Sequence, residues 1–432
     1  MFPDAGIILI CFIALQNPVH GNDIMKILIA LILLAWGLVF YTYVVFPLLI
    51  ALFAKLADKR AAPVSSSDDT NLPRVAMVVA AYNEERFLQA KLNNTWEIDY
   101  PEDKFELIIG SDGSGDDTAG ILKRCTDKRF RCFLFPQRRG KISVLNDLVT
   151  QVDADIIVMS DANTMFEPDS IRKMVRHFSD PRVGCVSGKL NLSHGGGVSG
   201  EGIYWKYESW IKRNESKLGF IIGCNGGIFA LRTELYEPLP ASTLVEDFVL
   251  SIRVMEKGYE VRFEPSASAN EPACGSARAE MIRKIRIGAG GFQALGLTRG
   301  LLHPRNGFRA FAYMGHKVLR WCVPFFSIVA FLSTIPLAMH SVLFQAILAL
   351  QILGGVISIG AYYLSGSRKL PFWTRPVSYF YLMNYALFLG FLRFLFRTQK
   401  VTWERAAPTA LAFGTEAQGV GAQRAFESGN GG

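Results

Sequence analysis

The sequence has few charged residues and no pattern of paired cysteines. Charged residues make up 19% of its 432 residues, whereas ordinary soluble domains contain roughly 25%. The deficit is concentrated towards the two ends of the chain, which indicates membrane segments rather than an unusually apolar soluble core. The seven cysteines form no C-x-x-C pair and no cluster with histidine at zinc spacing. Such a set predicts reduced thiols and therefore a cytosolic soluble part.

Several common functional motifs are also missing. Without a G-x-G-x-x-G fingerprint or a Walker lysine pattern, dinucleotide-binding and P-loop functions lack support. The histidines are isolated and form no Ser-His-Asp arrangement. The net charge of +8 is explained by basic residues that flank membrane helices and by basic residues that bind nucleotide or lipid phosphates. No basic-aromatic stripe accompanies that charge, so nucleic-acid binding is not expected.

Long apolar runs are present at both ends. Between Lys26 and Lys55 lie 28 residues without a charge, more than the about 20 that a helix needs to cross a membrane. Pro47 is expected to kink or divide this helix. The basic residues that follow it predict that its C-terminal end faces the cytosol.

Three further apolar segments follow residue 320, at 321–340, 342–364 and 377–396. The basic linker between the last two predicts a cytosolic position, and so do Arg393 and the basic residues after it. A third complete crossing would put that end outside. Whether the last segment spans the membrane or lies at its surface therefore stays open.

The middle of the chain alternates short apolar runs with helical stretches, as in βα units. We divide the chain into an N-terminal extension, a membrane helix, a linker, an α/β domain, an amphipathic interface region, membrane segments and a tail. Their boundaries are 1–23, 24–57, 58–72, 73–275, 276–320, 321–396 and 397–432.

Within the α/β domain, apolar runs end in acidic turns. The runs and the acids that follow them are Val75–Ala81 with Glu84, Leu107–Ile109 with Asp112, and Ile156–Met159 with Asp161. In a mostly parallel sheet the carboxyl ends of the strands gather at one edge, where α/β proteins bind ligands. The acids are therefore predicted to meet at a ligand site.

Two of these turns have the chemistry of a nucleotide site. Tyr82 can face a base and Glu84 can accept from a ribose or base. A simple helix cap explains this turn equally well, with Asn83 as the cap and Glu85 at the positive end of the helix. Asp112 precedes a Gly-rich turn and can accept the imide N–H of uracil. The alternative for Asp112 is an Asx turn leading into the next helix.

The third turn and the segment before it suit a metal and a diphosphate. Asp161 and Asn163 offer the oxygen ligands that Mg²⁺ or Mn²⁺ prefers. Lys141 is expected near the phosphates of the same ligand, or alternatively as an exposed lysine at a helix start.

Two later motifs complete the set. Asp247, after Glu246, can act as a general base towards an acceptor hydroxyl, or simply cap its helix. Arg283 and Arg286 share one helix face and can hold a diphosphate. The alternative for these arginines is an amphipathic helix at the membrane surface.

Taken in order, these motifs resemble the family 2 glycosyltransferases, in the membrane-bound branch that includes cellulose, chitin and hyaluronan synthases. The resemblance rests on AYNEE, SDGSGDDT, GK with LN, SDAN, GCNGGIFALR, VED and RKIRIGAG. It implies a cytosolic nucleotide-sugar-binding, Rossmann-like (GT-A) domain flanked by transmembrane helices, and an inverting reaction that depends on Mg²⁺ or Mn²⁺. By the resemblance, the nucleotide would be held by Tyr82, Glu84, Asp112 and Lys141, and the metal by Asp161 and Asn163. The diphosphate would be held by Arg283 and Arg286, and Asp247 would be the base. The acceptor would be bound by Asn225, Gly226, Gly227 and Glu246.

The resemblance also implies partners and a location. The expected partners are a UDP-sugar of the glucose or N-acetylglucosamine type, a lipid-linked or glycan acceptor, membrane lipids and other polysaccharide-assembly proteins. The expected location is the plasma or inner membrane. The alternatives are a processive synthase that secretes its own polymer and a non-catalytic membrane scaffold.

Two departures from the family pattern bear on these expectations. The second position of the Asp-x-Asp metal motif is Asn163, and the Gln-x-x-Arg-Trp motif of processive synthases is replaced by Arg283–Ile287, without the Gln and the Trp. The second departure argues against a processive synthase.

Overall fold

The computed structural model describes residues 21–57, 72–192, 201–272, 276–364, 371 and 373–402. The predicted extension 1–23, linker 58–72 and tail 397–432 lie mostly outside these ranges.

The first apolar run forms one long helix with a widened turn. Helix α1 (Gly21–Phe40) continues through a π-helical turn (Tyr41–Val45) into α2 (Phe46–Ala57). Pro47 has no N–H for the carbonyl of Tyr43, four residues earlier. That carbonyl accepts a hydrogen bond from the Tyr207 hydroxyl instead, at 2.8 Å. The expected disturbance at the proline is therefore a local widening of the helix, stabilised by a contact with the α/β domain.

The α/β domain forms the centre of the described chain. Its strands are β1 (Val75–Ala81), β2 (Phe105–Asp112), β3 (Phe130–Phe135), β4 (Ile156–Asp161), β5 (Met165–Phe166), β6 (Val183–Leu192), β7 (Phe229–Arg232) and β8 (Glu260–Glu271). Its α-helices are α3 (Glu85–Trp96), α4 (Thr118–Arg124), α5 (Lys141–Val149), α6 (Ser170–Val175), α7 (Glu201–Lys217) and α8 (Glu246–Glu256). Short 3₁₀ turns occur at Glu102–Lys104, Arg176–Ser179 and Thr233–Leu235.

The strands form one sheet in the order β3-β2-β1-β4-β7-β6-β8-β5. Strands β1 to β4 pair in parallel, β7 runs antiparallel to both β4 and β6, and β8 is again parallel to β6. The carboxyl ends of β2, β4 and β8 therefore point to the same edge. Asp112, Asp161 and Glu271 are the last residues of these strands.

A hydrophobic core covers each face of this sheet, as expected for strands with apolar residues on both sides. Along β1, Ala76 and Val78 face one core, and Met77 and Val79 face the other. The first core also contains Phe46 of α2, which is fully buried. Truncating Phe46 to Ala is expected to cost about 3–5 kcal/mol of stability. The N-terminal helix is thus part of the domain core and does more than anchor the chain.

Long helices follow the sheet. They are α9 (Ala277–Leu297), α10 (Phe308–Tyr313), a π-helical turn (Met314–Val318), α11 (Leu319–Ala338), α12 (Val342–Leu364) and α13 (Thr374–Leu395), with 3₁₀ turns at Arg299–Leu302 and Pro304–Asn306. Within the described ranges, the helices long and apolar enough to cross a membrane are Asn22–Ala57, Phe308–Ala338 and Val342–Leu364. Helix α13 does not meet this criterion.

Helix α13 packs along α9. A Cβ on Gly390 would lie 2.7 Å from both the backbone N of Ala289 and the carbonyl oxygen of Ile285, so only glycine allows the two backbones to approach this closely. After α13, residues 398–402 line the same cavity as Lys141. This arrangement favours the surface alternative for the last apolar segment over a complete crossing.

Candidate active site

One cavity of about 1270 Å³ lies at the carboxyl edge of the sheet. All the residues that the sequence singled out for donor, metal, base and acceptor roles line this cavity. They are Tyr82, Glu84, Asp112, Lys141, Asp161, Asn163, Asn225, Gly226, Gly227, Glu246, Asp247, Arg283 and Arg286. The structure brings these side chains together, and their individual roles stay predictions.

Asp112 holds the loop that leads into α5. Its two carboxylate oxygens accept hydrogen bonds from the backbone N–H groups of Arg139 (2.7 Å) and Gly140 (2.8 Å), and the residue is only 3% exposed. The Asx turn that leads into α4 is formed by Asp116, whose Oδ1 accepts a hydrogen bond from the Thr118 N–H. Asp112 therefore shapes the site through its loop, whether or not it also contacts a base.

The turns after β1 and β2 are bound to each other. The Asn83 side-chain oxygen accepts from the Gly115 N–H at 2.8 Å. The Glu84 N–H donates to the Thr118 hydroxyl at 2.8 Å, and the Glu84 side chain makes no cap hydrogen bond at the start of α3. The helix-cap alternative assigned the cap to Asn83, whereas the N-cap residue of α3 is Glu84.

The Tyr82 ring has a cationic partner that the sequence did not suggest. The Arg138 guanidinium carbon lies 3.7 Å from the centre of the ring, a cation–π arrangement, and both side chains line the cavity. No spacing in the sequence links Arg138 to Tyr82. The contact arises because the two loops converge at the sheet edge.

Lys141 bridges two carboxylates at the centre of the cavity. Its Nζ lies 2.6 Å from Oδ1 of Asp161 and 2.5 Å from Oε1 of Glu246. Burial favours the neutral amine, but the two carboxylates outweigh it and raise the pKa of Lys141. Burial also opposes ionisation of Glu246, yet Lys141 lowers the pKa of that carboxyl. The alternative of an exposed lysine at a helix start does not fit this geometry.

Asp247 has the environment of a general base. It lies in the first turn of α8, whose N-cap residue is Val245. Burial and the neighbouring charge of Glu246 raise the pKa of Asp247 to about 6. A carboxyl group with a pKa close to neutral accepts a proton more readily than an ordinary aspartate. A Cβ on Gly226 would lie 3.3 Å from Oδ2 of Asp247, so the glycine keeps open the space in front of this carboxylate.

Asn225 is fixed beside Asp247 by a buried lysine. Its side-chain oxygen accepts from Lys212 Nζ at 2.7 Å, and its Nδ2 donates to the Gly188 carbonyl at 2.6 Å. Lys212 belongs to none of the motifs in the sequence. Its position on a helical face, thirteen residues before Asn225, gave no signal of the contact.

Asp161 and Asn163 have an additional acidic neighbour, Glu271. Burial and the nearby Asp161 carboxylate raise the pKa of Glu271 to about 7, and Asn163 donates a hydrogen bond to it. In the described ranges no group of three or more His, Cys, Asp or Glu side chains is placed to hold a metal by itself. Hard oxygen donors from Asp161, Asn163 and Glu271 nevertheless fit a divalent cation that keeps phosphate and water ligands. The acidic end of β8 was the sequence signal that could have identified Glu271.

A buried lysine supports the turn that carries Asp161. Lys91 Nζ donates to the Ser160 hydroxyl at 2.8 Å and to the Thr164 carbonyl at 2.7 Å, and the residue is 0% exposed. Burial lowers the pKa of Lys91 to about 7. Lys91 therefore holds both ends of the turn. In the sequence, Lys91 lies between apolar residues of α3, and no motif distinguishes it.

Arg283 and Arg286 reach the cavity from α9. The charge of Arg286 acts on Glu246, and that of Arg283 acts on Glu271. Each arginine thus lies near a carboxylate of the site. The surface-helix alternative explains neither placement.

Residues 76–239 match the model of glycosyl transferase family 2. This part of the chain is a family 2 glycosyltransferase domain. The predicted family is thereby confirmed, on the stretch that contains Lys141 and Asp161.

Curated relatives are similar over the glycosyltransferase domain. The chain is 26% identical over 204 residues to poly-beta-1,6-N-acetyl-D-glucosamine synthase of Staphylococcus aureus (strain COL), covering 45% of this chain and 49% of that protein. It is also 26% identical over 209 residues to the enzyme of the same name from Staphylococcus epidermidis, covering 46% and 50%. The chain therefore spans about half the length of these curated relatives.

A solved structure shares the fold beyond the glycosyltransferase domain. A mannosyltransferase from Pyrobaculum calidifontis, in complex with GDP-Man and Mn²⁺, superposes with a TM-score of 0.67 at 23% identity. The match covers 87% of this chain and 99% of that one. The predicted α/β, Rossmann-like fold flanked by candidate membrane helices is confirmed.

Proposed function

We propose that this protein is an inverting, metal-dependent glycosyltransferase of a cell membrane. It transfers a sugar from a UDP-sugar, of the glucose or N-acetylglucosamine type, to a lipid-linked or glycan acceptor in polysaccharide or glycolipid biosynthesis. The observation that carries the proposal is that Lys141 and Asp161, within the stretch that matches the family 2 model, line the same cavity as Asp247. We place the protein in the plasma or inner membrane with its catalytic domain in the cytosol. The reason is that Lys55, Lys59 and Arg60 follow the first apolar segment in the sequence, just before the α/β domain.

The donor nucleotide is assigned to the end of the cavity near β1 and β2. Tyr82 and Arg138 offer a stacked surface for the base, and Glu84 offers an acceptor for its N–H or ribose groups. Asp112 supports this end through the loop at Arg139.

The diphosphate is assigned to the cations around Lys141. Lys141, Arg283 and Arg286 supply positive charge, and a guanidinium can make two parallel hydrogen bonds to a phosphate. Mg²⁺ or Mn²⁺ would be held by Asp161 and Asn163, with Glu271 as a further oxygen donor. Bound there, the cation would neutralise charge on the leaving diphosphate. The structure of the mannosyltransferase from Pyrobaculum calidifontis contains Mn²⁺, which supports a divalent cation in this fold.

Asp247 performs the proton transfer in this proposal. An acceptor hydroxyl oxygen attacks the anomeric carbon, its proton passes to Asp247, and the bond from that carbon to the diphosphate oxygen breaks. The diphosphate leaves with the electron pair, and a single displacement inverts the anomeric centre. We assign the incoming hydroxyl to the part of the cavity lined by Asn225, Gly226, Gly227 and Glu246.

The test is release of the nucleoside diphosphate by the full chain in detergent. Sugar nucleotides with uridine and guanosine are compared, each with and without Mg²⁺ or Mn²⁺. We expect metal-dependent UDP release with at least one UDP-sugar, and its loss in Asp247→Asn. No release from any sugar nucleotide would instead support the non-catalytic scaffold.

A processive synthase is the second candidate, because the curated relatives are named as synthases of a polysaccharide. The absence of Gln and Trp around Arg286 argues against it. Product length decides between them: short products support the transferase, and long polymers support the synthase.

A further inference from the structure

The same cavity is also lined by residues of α7, the two π-helical turns, α11 and α13. The polar residues of this part, the acceptor chamber, include Tyr43, Tyr204, Glu208, Lys212, Lys317 and Arg320. Two π-helical turns at one wall are unusual, since such turns are rare and are frequent at functional sites.

Buried charges form the floor of the acceptor chamber. Glu208 Oε1 accepts from Lys317 Nζ at 2.6 Å, and Oε2 accepts from Arg320 Nη1 at 2.7 Å. His316 lies between Glu208 and Glu215, 3.1 Å and 2.6 Å from their oxygens. Burial opposes ionisation of Glu208, but Lys317, His316 and Arg320 outweigh it and hold its pKa well below the ordinary value. Lys317 and Arg320 thus share the carboxylate of Glu208, and Glu215 is a second buried carboxylate beside His316.

The positive charge of the chamber is only partly neutralised. In the described part of the chain, Lys212 is bonded to the neutral amide of Asn225 and forms no ion pair. Burial, reinforced by Lys317, lowers the pKa of Lys212. Arg320 is 5% exposed, and its Nε and Nη2 have no hydrogen-bond partner among the described residues. These groups favour an anionic occupant.

An apolar stripe leads away from these charges along α13. Pro376, Phe380, Met383 and Leu387 all line the cavity, at the four-, three- and four-residue spacing of one helix face. The Phe380 ring packs 5.9 Å from the ring of Tyr43, which in turn lies 5.6 Å from the guanidinium of Arg320. The stripe begins at the exposed Pro376 and ends at the buried Leu387. Asp247, the buried cations and the apolar stripe of α13 therefore line one continuous path.

We propose that the acceptor is a lipid-linked sugar whose phosphate lies in the acceptor chamber. A base at Asp247 requires a hydroxyl nucleophile, which the sugar supplies. Lys317, Arg320 and Lys212 bind the phosphate that joins sugar and lipid, and the hydrocarbon chain lies along the stripe of α13. The inference rests on the proposed function and specifies its acceptor. The transfer is the single displacement described above, with the proton of the sugar hydroxyl passing to Asp247.

Binding and transfer are measured on the full chain in nanodiscs. The binding probe is radiolabelled farnesyl phosphate, with farnesol and inorganic phosphate as competitors. The transfer probes are glucose and N-acetylglucosamine, each joined to farnesyl phosphate or to neutral farnesol, and soluble oligomers of both sugars. We expect saturable binding of farnesyl phosphate, weak competition by farnesol and by inorganic phosphate, and at least tenfold higher kcat/KM for a phosphate-bearing acceptor than for its neutral counterpart.

Two variants test the two parts of the path, each with a matched control. Lys317→Gln should weaken binding of farnesyl phosphate about tenfold, through loss of a charge-assisted contact, and the surface change Lys173→Gln should not. Met383→Trp should fill the stripe and weaken binding, whereas Tyr385→Trp, at an exposed position of the same helix, should not. UDP binding that stays unchanged in all four variants shows that each remains folded.

The outcomes separate this inference from the proposed function. Transfer without preference for phosphate-bearing acceptors, or preference for soluble oligomers, would overturn the inference alone. Competition by inorganic phosphate as strong as that of farnesyl phosphate would make the occupant a free phosphate and overturn the lipid assignment. Absence of turnover with every sugar nucleotide would overturn the proposed function together with the inference.

Discussion

The two halves of the cavity are built in different ways. In the donor half, Asp112 and Asp161 end neighbouring parts of one sheet. In the acceptor chamber, Tyr43, Glu208 and Arg320 come from elements more than a hundred residues apart in sequence, and they meet only in the fold. Strand ends put functional residues into short motifs, whereas helix packing does not. The donor half is therefore evident in the sequence and the acceptor chamber is not.

The halves also differ in charge balance. Lys141 lies between two carboxylates, so the centre of the donor half is neutralised by its own side chains. In the chamber, Glu208 is shared by several cations, and Lys212 has a neutral partner. Under the proposed function, a donor diphosphate would replace carboxylates as the partner of Lys141. Under the further inference, an acceptor anion would instead bind cations that the chamber's own carboxylates neutralise only in part.

The largest expected effect is in the donor half. Asp161→Ala should abolish metal-dependent turnover and cost at least several kcal/mol of transition-state stabilisation, because it removes the one carboxylate of its motif. Turnover is measured against Mn²⁺ concentration, with Asn163→Asp as the control, which should be tolerated. Activity near that of the wild type with an unchanged metal requirement would show that Asp161 is not a metal ligand.

The next effect lies at the boundary between the halves. Asp247→Asn should leave UDP-sugar binding largely intact and lower transfer about 10²–10⁴-fold, since an amide keeps the shape but cannot take the proton. Donor affinity and transfer rate are measured separately. If both fell together, Asp247 would serve the structure of α8 and not the reaction.

The pH dependence sharpens the assignment of Asp247. Because its pKa is raised to about 6, kcat/KM for transfer should fall about tenfold per pH unit below that value, as the base becomes protonated. The folded state favours the protonated form, so the contribution to stability runs the other way: it is present at low pH and is lost as the pH rises through about 6. The residual activity of Asp247→Asn should not show this acidic limb. An acidic limb of equal size in that variant would show that another group causes the loss of activity at low pH.

The smallest expected effect compares two cations of the donor half. Arg286→Ala should weaken UDP binding roughly 10- to 100-fold, the range expected for losing hydrogen bonds between charged groups, and far more than Arg283→Ala. Arg286→Lys should restore it only in part, because lysine cannot make two parallel contacts to a phosphate. UDP titrations in the presence of metal give the three affinities. Equal UDP affinities in the three variants would indicate that Lys141 and the metal alone hold the diphosphate.

Prediction from the sequence succeeded where a side chain lies next to a recognisable strand end. Asp112 and Asp161 were found in this way, and the structure places them in one cavity. Lys91 and Lys212 were missed because a lysine among apolar helical residues looks like a surface position until the partners that bury it are known. Glu271 was missed although it ends a strand, since no following turn motif drew attention to it.

The sequence by itself determined the class of the domain, the order of its motifs and the presence of apolar segments, because strand periodicity, turn residues and hydrophobic length are local properties. Only the tertiary structure decided that α13 lies along α9, that Tyr207 satisfies the carbonyl freed by Pro47, and that Arg320 shares Glu208 with Lys317. These contacts join residues distant in the chain. Their free energy comes from burial and charge pairing that exist only once the helices have packed.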